Sequence, residues 1–291
     1  MPTAVCDGIE THYEVLGDGP PLLLFSPGGF NATIENWRSF GIYRRLGLLD
    51  ELPGHFTCIA FDKREAGASG GRIEVATWDD YARQGRALLD ELGIGAAHVM
   101  GGCIGCSIAA AFAVAYPERT ERAVLYSPAG GQRYRMTQHA RFDEHRRFAS
   151  SEGLPAVVAL ARAWVASFSQ DPRVGPWASV LRRDEAFAAE YASRDAAEYA
   201  QLVHELGRSL FDRDTAPGPE PQELMATNVP VLVVPGHDAS HATSAARYLE
   251  ECFPHSEYWD LPPDEQTGAN APGRIVAFLQ SSDSPRSSAA I

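Results

Sequence analysis

Lysine is almost missing from this sequence. Of its 25 basic residues only Lys63 is a lysine, and 38 acidic residues leave a net charge of −13. We read the arginine preference as a usage habit and not as a binding signal. The acidic balance repels phosphate backbones and anionic lipid surfaces, so neither nucleic acid nor membrane is expected as a partner. No apolar run reaches the roughly 18 residues of a membrane-spanning helix. The start, MPTAVCDGIETHYEV, lacks a basic segment followed by an apolar core, so no secretory signal is expected. Five cysteines (Cys6, Cys58, Cys103, Cys106, Cys252) are an odd and scattered set, which excludes a disulfide framework. A reducing cytoplasm is the expected location. Two more ligands at suitable spacing from Cys103 and Cys106 are also lacking, so no metal is expected.

What is present is alternation. In THYEVLGDGPPLLLFSPGG an early strand and a Gly/Pro turn precede a buried strand, Leu22–Phe25, that ends at a glycine pair. A second buried strand, Thr57–Phe61, empties into the charged loop DKREAGAS. TWDDYARQGRALLDELGI has helical spacing, with Tyr81, Leu88, Leu89 and Leu92 on one side and Gly93 as a stop. A strand at His98–Met100, a helix at Ser107–Ala115 halted by Pro117, and a strand in RAVLYSP follow.

Residues 132–222 are rich in Arg, Glu, Ala and aromatics, with helical spacing and no convincing strand, and they close in the breaker-rich TAPGPEPQ. Alternation then resumes with a strand at Val231–Val234, a helix in TSAARYLEECF, a strand in SEYWDL and a helix in GRIVAFLQS. Strands alternating with helices predict an α/β fold with a mostly parallel sheet covered on both faces. The expected organisation is a core of residues 1–131 and 223–280, a helical cap of 132–222, and a disordered tail of 281–291.

Gly101-Gly102-Cys103-Ile104-Gly105 lies between a predicted strand and a predicted helix, the setting of a nucleophile elbow, G-x-Nu-x-G. The nucleophile sits on a tight turn, and its neighbours need almost no side chain for strand and helix to come so close. Just ahead of a helix N-terminus, the partial positive charge favours thiolate over thiol. A redox reading of Cys103 and Cys106 requires a thioredoxin-like setting, which the chain lacks.

Together these segments resemble the α/β-hydrolase family, over roughly residues 10–131 and 225–280. LLLFSPGGFNATIENW resembles its oxyanion-loop segment. FDKREAGAS resembles its D-x-R-G-x-G-x-S loop, with Glu65 where glycine is usual, and PVLVVPGHD resembles the strand whose loop carries the acid. Within the family the chain is most similar to a less typical bacterial branch with P-G-G after the first core strand, G-G-C-I-G at the elbow and G-x-D-x-x-H in the acid loop. Dienelactone hydrolases share the elbow cysteine. The resemblance implies a cofactor-independent hydrolase fold with a helical cap and a small-molecule substrate; it implies no oligomeric state. It assigns Cys103 as nucleophile and the N–H groups of Ile104 and Gly29 as the oxyanion hole.

One family feature is absent. The final histidine belongs in the loop after the last strand, and LPPDEQTGANAPGR, residues 261–274, has none. In one reading the base has moved into PGHDASHAT, which offers His237, Asp238 and His241. His241 is then the base, oriented by Asp238 or by Asp264 or Glu265 from the last loop. In the other there is no triad, and a lone thiolate suits transfer or lyase chemistry better than fast hydrolysis. The expected activity is hydrolysis of a small ester, thioester or lactone, or of a C–C bond, through a covalent Cys103 intermediate. The alternative is a non-hydrolytic lyase, cyclase, acyltransferase or ligand-binding receptor of the same fold. Trp164, Phe168, Trp177 and Tyr191 are candidate pocket walls or, equally, core packing residues. The run Arg133, Arg135, Arg141, Arg146, Arg147 is read as a solvated helix face or as a greeting for an anionic substrate.

Overall fold

The short apolar runs become strands because each is buried on both faces. In a computed structural model describing residues 2–213 and 215–282, β3 (Pro21–Phe25), β4 (Thr57–Phe61), β5 (Ala97–Gly102), β6 (Thr120–Tyr126), β7 (Val231–Val234) and β8 (Ser256–Tyr258) pair in parallel. Two strands ahead of them, β1 (Thr3–Cys6) and β2 (Ile9–Leu16), form an antiparallel margin against β4. The sheet order is β1-β2-β4-β3-β5-β6-β7-β8.

Side-chain alternation divides the core in two. Leu23, Phe25, Ile59, Phe61, Val99, Leu125 and Val233 face the helices Trp78–Glu91, Gly105–Ala115 and Thr243–Cys252. Leu22, Leu24, Cys58, Ala60, Met100, Val124 and Leu232 face the opposite layer, which includes Trp37, Tyr43 and the helix Ala271–Leu279. A parallel sheet with helices on both faces is the predicted α/β-hydrolase architecture.

Between β6 and β7 the chain leaves the sheet for six α-helices: Gln132–Glu152, Leu154–Ala163, Ala178–Arg183, Glu185–Ser193, Ala196–Phe211 and Pro221–Ala226. Their shared centre is aromatic. His145 Nε2 lies 2.6 Å from the Tyr199 hydroxyl and Nδ1 lies 3.1 Å from the Arg173 carbonyl oxygen. Burial pulls the His145 imidazole down to about 4, so it is neutral here. Trp177 and Tyr191 belong to this packing, while Trp164 is 62% exposed. Of the four aromatics open to either a pocket or a core role, Phe168 lines the cavity, Trp177 and Tyr191 pack in the core, and Trp164 falls in the linker after its helix.

The chain reverses direction across the sheet at β3, whose neighbours are β4 and β5. Loops leaving the carboxyl ends of β3 and β5 therefore meet at a switch point, where an open α/β sheet offers a crevice. Of the expected tail 281–291, residues 283–291 lie outside the described residues.

Candidate active site

Cys103 follows β5 directly and has φ 54°, a left-handed conformation that non-glycine residues adopt at a cost. The turn is held from both sides. Cys103 N–H donates to the Tyr126 carbonyl at 3.2 Å, and the Cys103 carbonyl accepts from Ala129 and Cys106. The flanking glycines are steric requirements. A Cβ on Gly101 would overlap the Gly105 backbone, and a Cβ on Gly105 would overlap the Phe25 carbonyl. The helix Gly105–Ala115 is buried through Ala113, so its N-terminus points at the turn from within the core. Cys106, on its first turn, donates its thiol to the Gly101 and Tyr126 carbonyl oxygens, and burial pushes that thiol well up. It packs as a small buried residue beside Cys103.

Across the crevice, the loop after β3 places Gly29 at φ 66°. Asn36 braces that loop by donating to the Pro27 carbonyl at 2.7 Å and the Asn31 carbonyl at 2.6 Å. Gly29 and Ile104 line the same cavity as Cys103. Neither N–H donates a hydrogen bond among the described residues.

The loop after β7 brings His241 to the same place. A parallel bridge pairs Gly130, beyond β6, with His241, and Gly130 N–H donates to the Ser240 carbonyl at 2.9 Å. Asp238 shapes the loop from inside, accepting from Ser240 N–H at 2.7 Å and His241 N–H at 3.0 Å. Its carboxylate oxygens both lie 2.9 Å from His241 Nδ1. His241 Nε2 is buried without a hydrogen bond among the described residues, and the Cys103 sulfur is an electrostatic neighbour of the imidazole. Burial works against charge on this imidazole, but the Cys103 sulfur and the Asp238 carboxylate outweigh it and hold His241 up at about 9. Asp238 is partly buried, which disfavours its charge, yet its contact with His241 keeps the carboxyl below its ordinary range.

The loop after β8, where the family's histidine is expected, is closed by Gln266. That side chain is fully buried; it accepts from the Tyr126 hydroxyl at 2.7 Å and donates to the Leu261 carbonyl at 2.8 Å. Asp264 reaches the cavity rim, but the carboxylate that meets His241 is Asp238. His237 also lines the rim.

The cavity measures about 540 Å³, within the range of small-molecule sites. Phe30, Trp78, Ile108, Phe168 and Phe211 make its apolar walls. Lys63, the single lysine, is among the lining residues, with its ammonium 2.9 Å from Glu65 and 4.3 Å from the centre of the Tyr81 ring. Glu65, at φ 68° where glycine is usual, also pairs with Arg64, so two charge contacts offset its backbone strain. The composition had suggested no role for Lys63; its place in the DKREAGAS loop was the available signal. Asp62 and Ser69 in that loop hydrogen-bond to backbone and brace it. Among the described residues no group of acidic, His or Cys side chains is arranged to hold a metal ion.

Comparison with known proteins agrees with this architecture. Residues 21–263 match the family model of the α/β hydrolase fold. A segment of 124 residues, 43% of this chain, is 36% identical to the dihydrolipoyllysine-residue acetyltransferase component of the acetoin cleaving system of Cupriavidus necator, covering 31% of that protein. A segment of 128 residues, 41% of this chain, is 29% identical to the 2-hydroxy-6-oxo-6-phenylhexa-2,4-dienoate hydrolase of Comamonas testosteroni, covering 40% of it. The chain thus matches less than half the length of each of these relatives. The crystal structure of the enol-lactonase from Burkholderia xenovorans superposes with a TM-score of 0.62 at 22% identity, covering 96% of this chain and 100% of that one. From its sheet order, its elbow and the family match over most of its length, the chain belongs to the α/β hydrolase fold family.

Proposed function

We propose that this chain is a cofactor-independent hydrolase that cleaves a small ester, thioester or lactone through a covalent thioester on Cys103. What supports the reading is that Asp238, His241 and Cys103 line one cavity, with Asp238 against His241 Nδ1 and the Cys103 sulfur an electrostatic neighbour of that imidazole. The acid and the base then both come from the loop after β7, and the loop after β8 supplies neither.

The Cys103 sulfur attacks the substrate carbonyl carbon, and the carbonyl electron pair moves to an oxygen held by the N–H groups of Ile104 and Gly29. Collapse breaks the bond to the leaving group, which takes a proton from His241 Nε2. Neutral His241 next removes a proton from water, whose oxygen attacks the thioester carbonyl. The second collapse returns Cys103 as thiolate beside imidazolium, with Asp238 holding Nδ1–H throughout. The relative named for hydrolysis of a phenylhexadienoate supports including an activated C–C bond among the targets. Residues 132–222 act in this reading as a cap over a core of 1–131 and 223–280.

The test is turnover of 4-nitrophenyl acetate, an acetyl thioester and a small lactone by the wild type, Cys103→Ala and His241→Ala. The expected result is turnover of at least one compound, reduced about 10³-fold or more by either substitution. Full activity in Cys103→Ala rejects the reading.

A second reading, acyl transfer, is favoured by the acetyltransferase relative and by the thioester itself. It predicts that added alcohol or amine acceptors divert the acyl group from water.

A further inference from the structure

We infer that Arg141 forms an anion-recognition site in the cavity, which selects substrates carrying a carboxylate several bonds away from the carbonyl that Cys103 attacks. As a substrate class this rests on the covalent reading above; as a binding site it stands alone.

Tyr134, Gln138 and Arg141 are spaced four and three residues apart on the helix Gln132–Glu152, so they share one face, and all three line the cavity. Tyr134 is the electrostatic neighbour of both Cys103 and Arg141. Along the helix Arg141 lies about 10 Å beyond Tyr134, at 1.5 Å per residue. The stripe therefore leads away from the sulfur and ends in a guanidinium.

The two charges on the cavity wall nearest Cys103 and Tyr81 are matched. Lys63 pairs with Glu65, and Asp238 with His241. Arg45 donates to the Pro263 carbonyl, beside Asp264 on the same rim. Arg141 is half-buried and, like the solvent-exposed Asp264, has no hydrogen bond or ion pair among the described residues. Arg133 is exposed and off the cavity, whereas Arg135 donates to the Phe211 carbonyl, Arg146 pairs with Asp143, and Arg147 donates to the Asp143 carbonyl. On a chain of net charge −13, an unmatched guanidinium inside a largely apolar cavity is a local reversal of sign. A planar, always-charged fork is suited to a carboxylate.

The experiment compares kcat/KM for mono-4-nitrophenyl glutarate and 4-nitrophenyl butyrate in the wild type, Arg141→Gln and Arg141→Lys. A wild-type preference for the glutarate ester of about 10- to 100-fold is expected from one charge-assisted hydrogen bond. That ratio collapses in Arg141→Gln and is partly kept in Arg141→Lys. A ratio near one in the wild type, or one unchanged by Arg141→Gln, overturns the site. If the wild type turns over neither ester, the covalent reading fails separately, and calorimetric titration with glutarate decides the site. Saturable binding lost in Arg141→Gln supports it, and no saturable binding in the wild type overturns it.

Discussion

Asp238 holds the Nδ1 edge of His241 with both carboxylate oxygens at 2.9 Å, although the two residues are only three apart on a single loop. A pair so close in sequence has little freedom to separate. The loop's own hydrogen bonds, from Ser240 and His241 N–H to Asp238, set the Asp238–His241 contact as they build the turn. Nε2 is left buried and unengaged in the neighbourhood of the Cys103 sulfur.

This arrangement has a pH signature in stability. His241 is held up at about 9 against an ordinary 6.5, so the folded state binds its proton more tightly than the unfolded state does. The stabilisation it contributes is complete below pH 6.5 and is lost as pH rises through about 9. Urea midpoints of the wild type and His241→Gln, measured from pH 6 to 10 (~0.5-unit steps), should converge toward the alkaline end. A difference that is constant across the range contradicts the linkage.

Gly105 lets the elbow helix approach β3, and an added Cβ there would overlap the Phe25 carbonyl. Backbone cannot yield as a flexible side chain does. Gly105→Ala should destabilise the fold by about 3 kcal/mol, with the elbow displaced and activity lost. A denaturant midpoint unchanged from the wild type would show that strand and helix separate at little cost.

Glu65 neutralises two buried cations, Lys63 and Arg64, at a position where its backbone is strained. Glu65→Gln removes the charge and leaves buried Lys63 without its ion-pair partner, while Arg64 keeps Glu74. The expected loss is about 3–5 kcal/mol, as for breaking a buried ion pair from one side. Thermal unfolding of Glu65→Gln and the double variant Lys63→Met/Glu65→Gln checks this, since the double variant should recover part of the loss. Equal stability of wild type and Glu65→Gln contradicts the account of this loop.

The strands β4 and β7 were legible to the residue, because each is a short apolar run bounded by Pro, Gly or charged residues. The tight strand–turn–helix around Cys103 was legible from its glycines: Gly101 and Gly105 are demanded by the close backbone approaches that such a turn makes. β1 was not anticipated, since its pairing with β2 lies at an exposed margin where apolar patterning is weak. The short helices between Glu35 and Glu51 were missed too, being too brief for periodicity to register. Strand β8 stops at Tyr258, short of the SEYWDL run.

At the site, the sequence offered Asp238, Asp264 and Glu265 as partners for His241. The bridge from Gly130 to His241, a contact between residues 111 positions apart, fixes the loop so that Asp238 makes the contact. Arg141 could not be separated from its neighbouring arginines either, because that depends on how the helix is rotated against the sheet.

The most direct measurement is intact-mass spectrometry of the protein mixed with an acetyl thioester, followed over time, with the modified peptide sequenced. The wild type should show a transient acetyl adduct on Cys103, and His241→Ala should form the same adduct and keep it, because nothing then activates the water. An adduct on another residue, or one that clears from His241→Ala as fast as from the wild type, contradicts the pairing of Cys103 with His241.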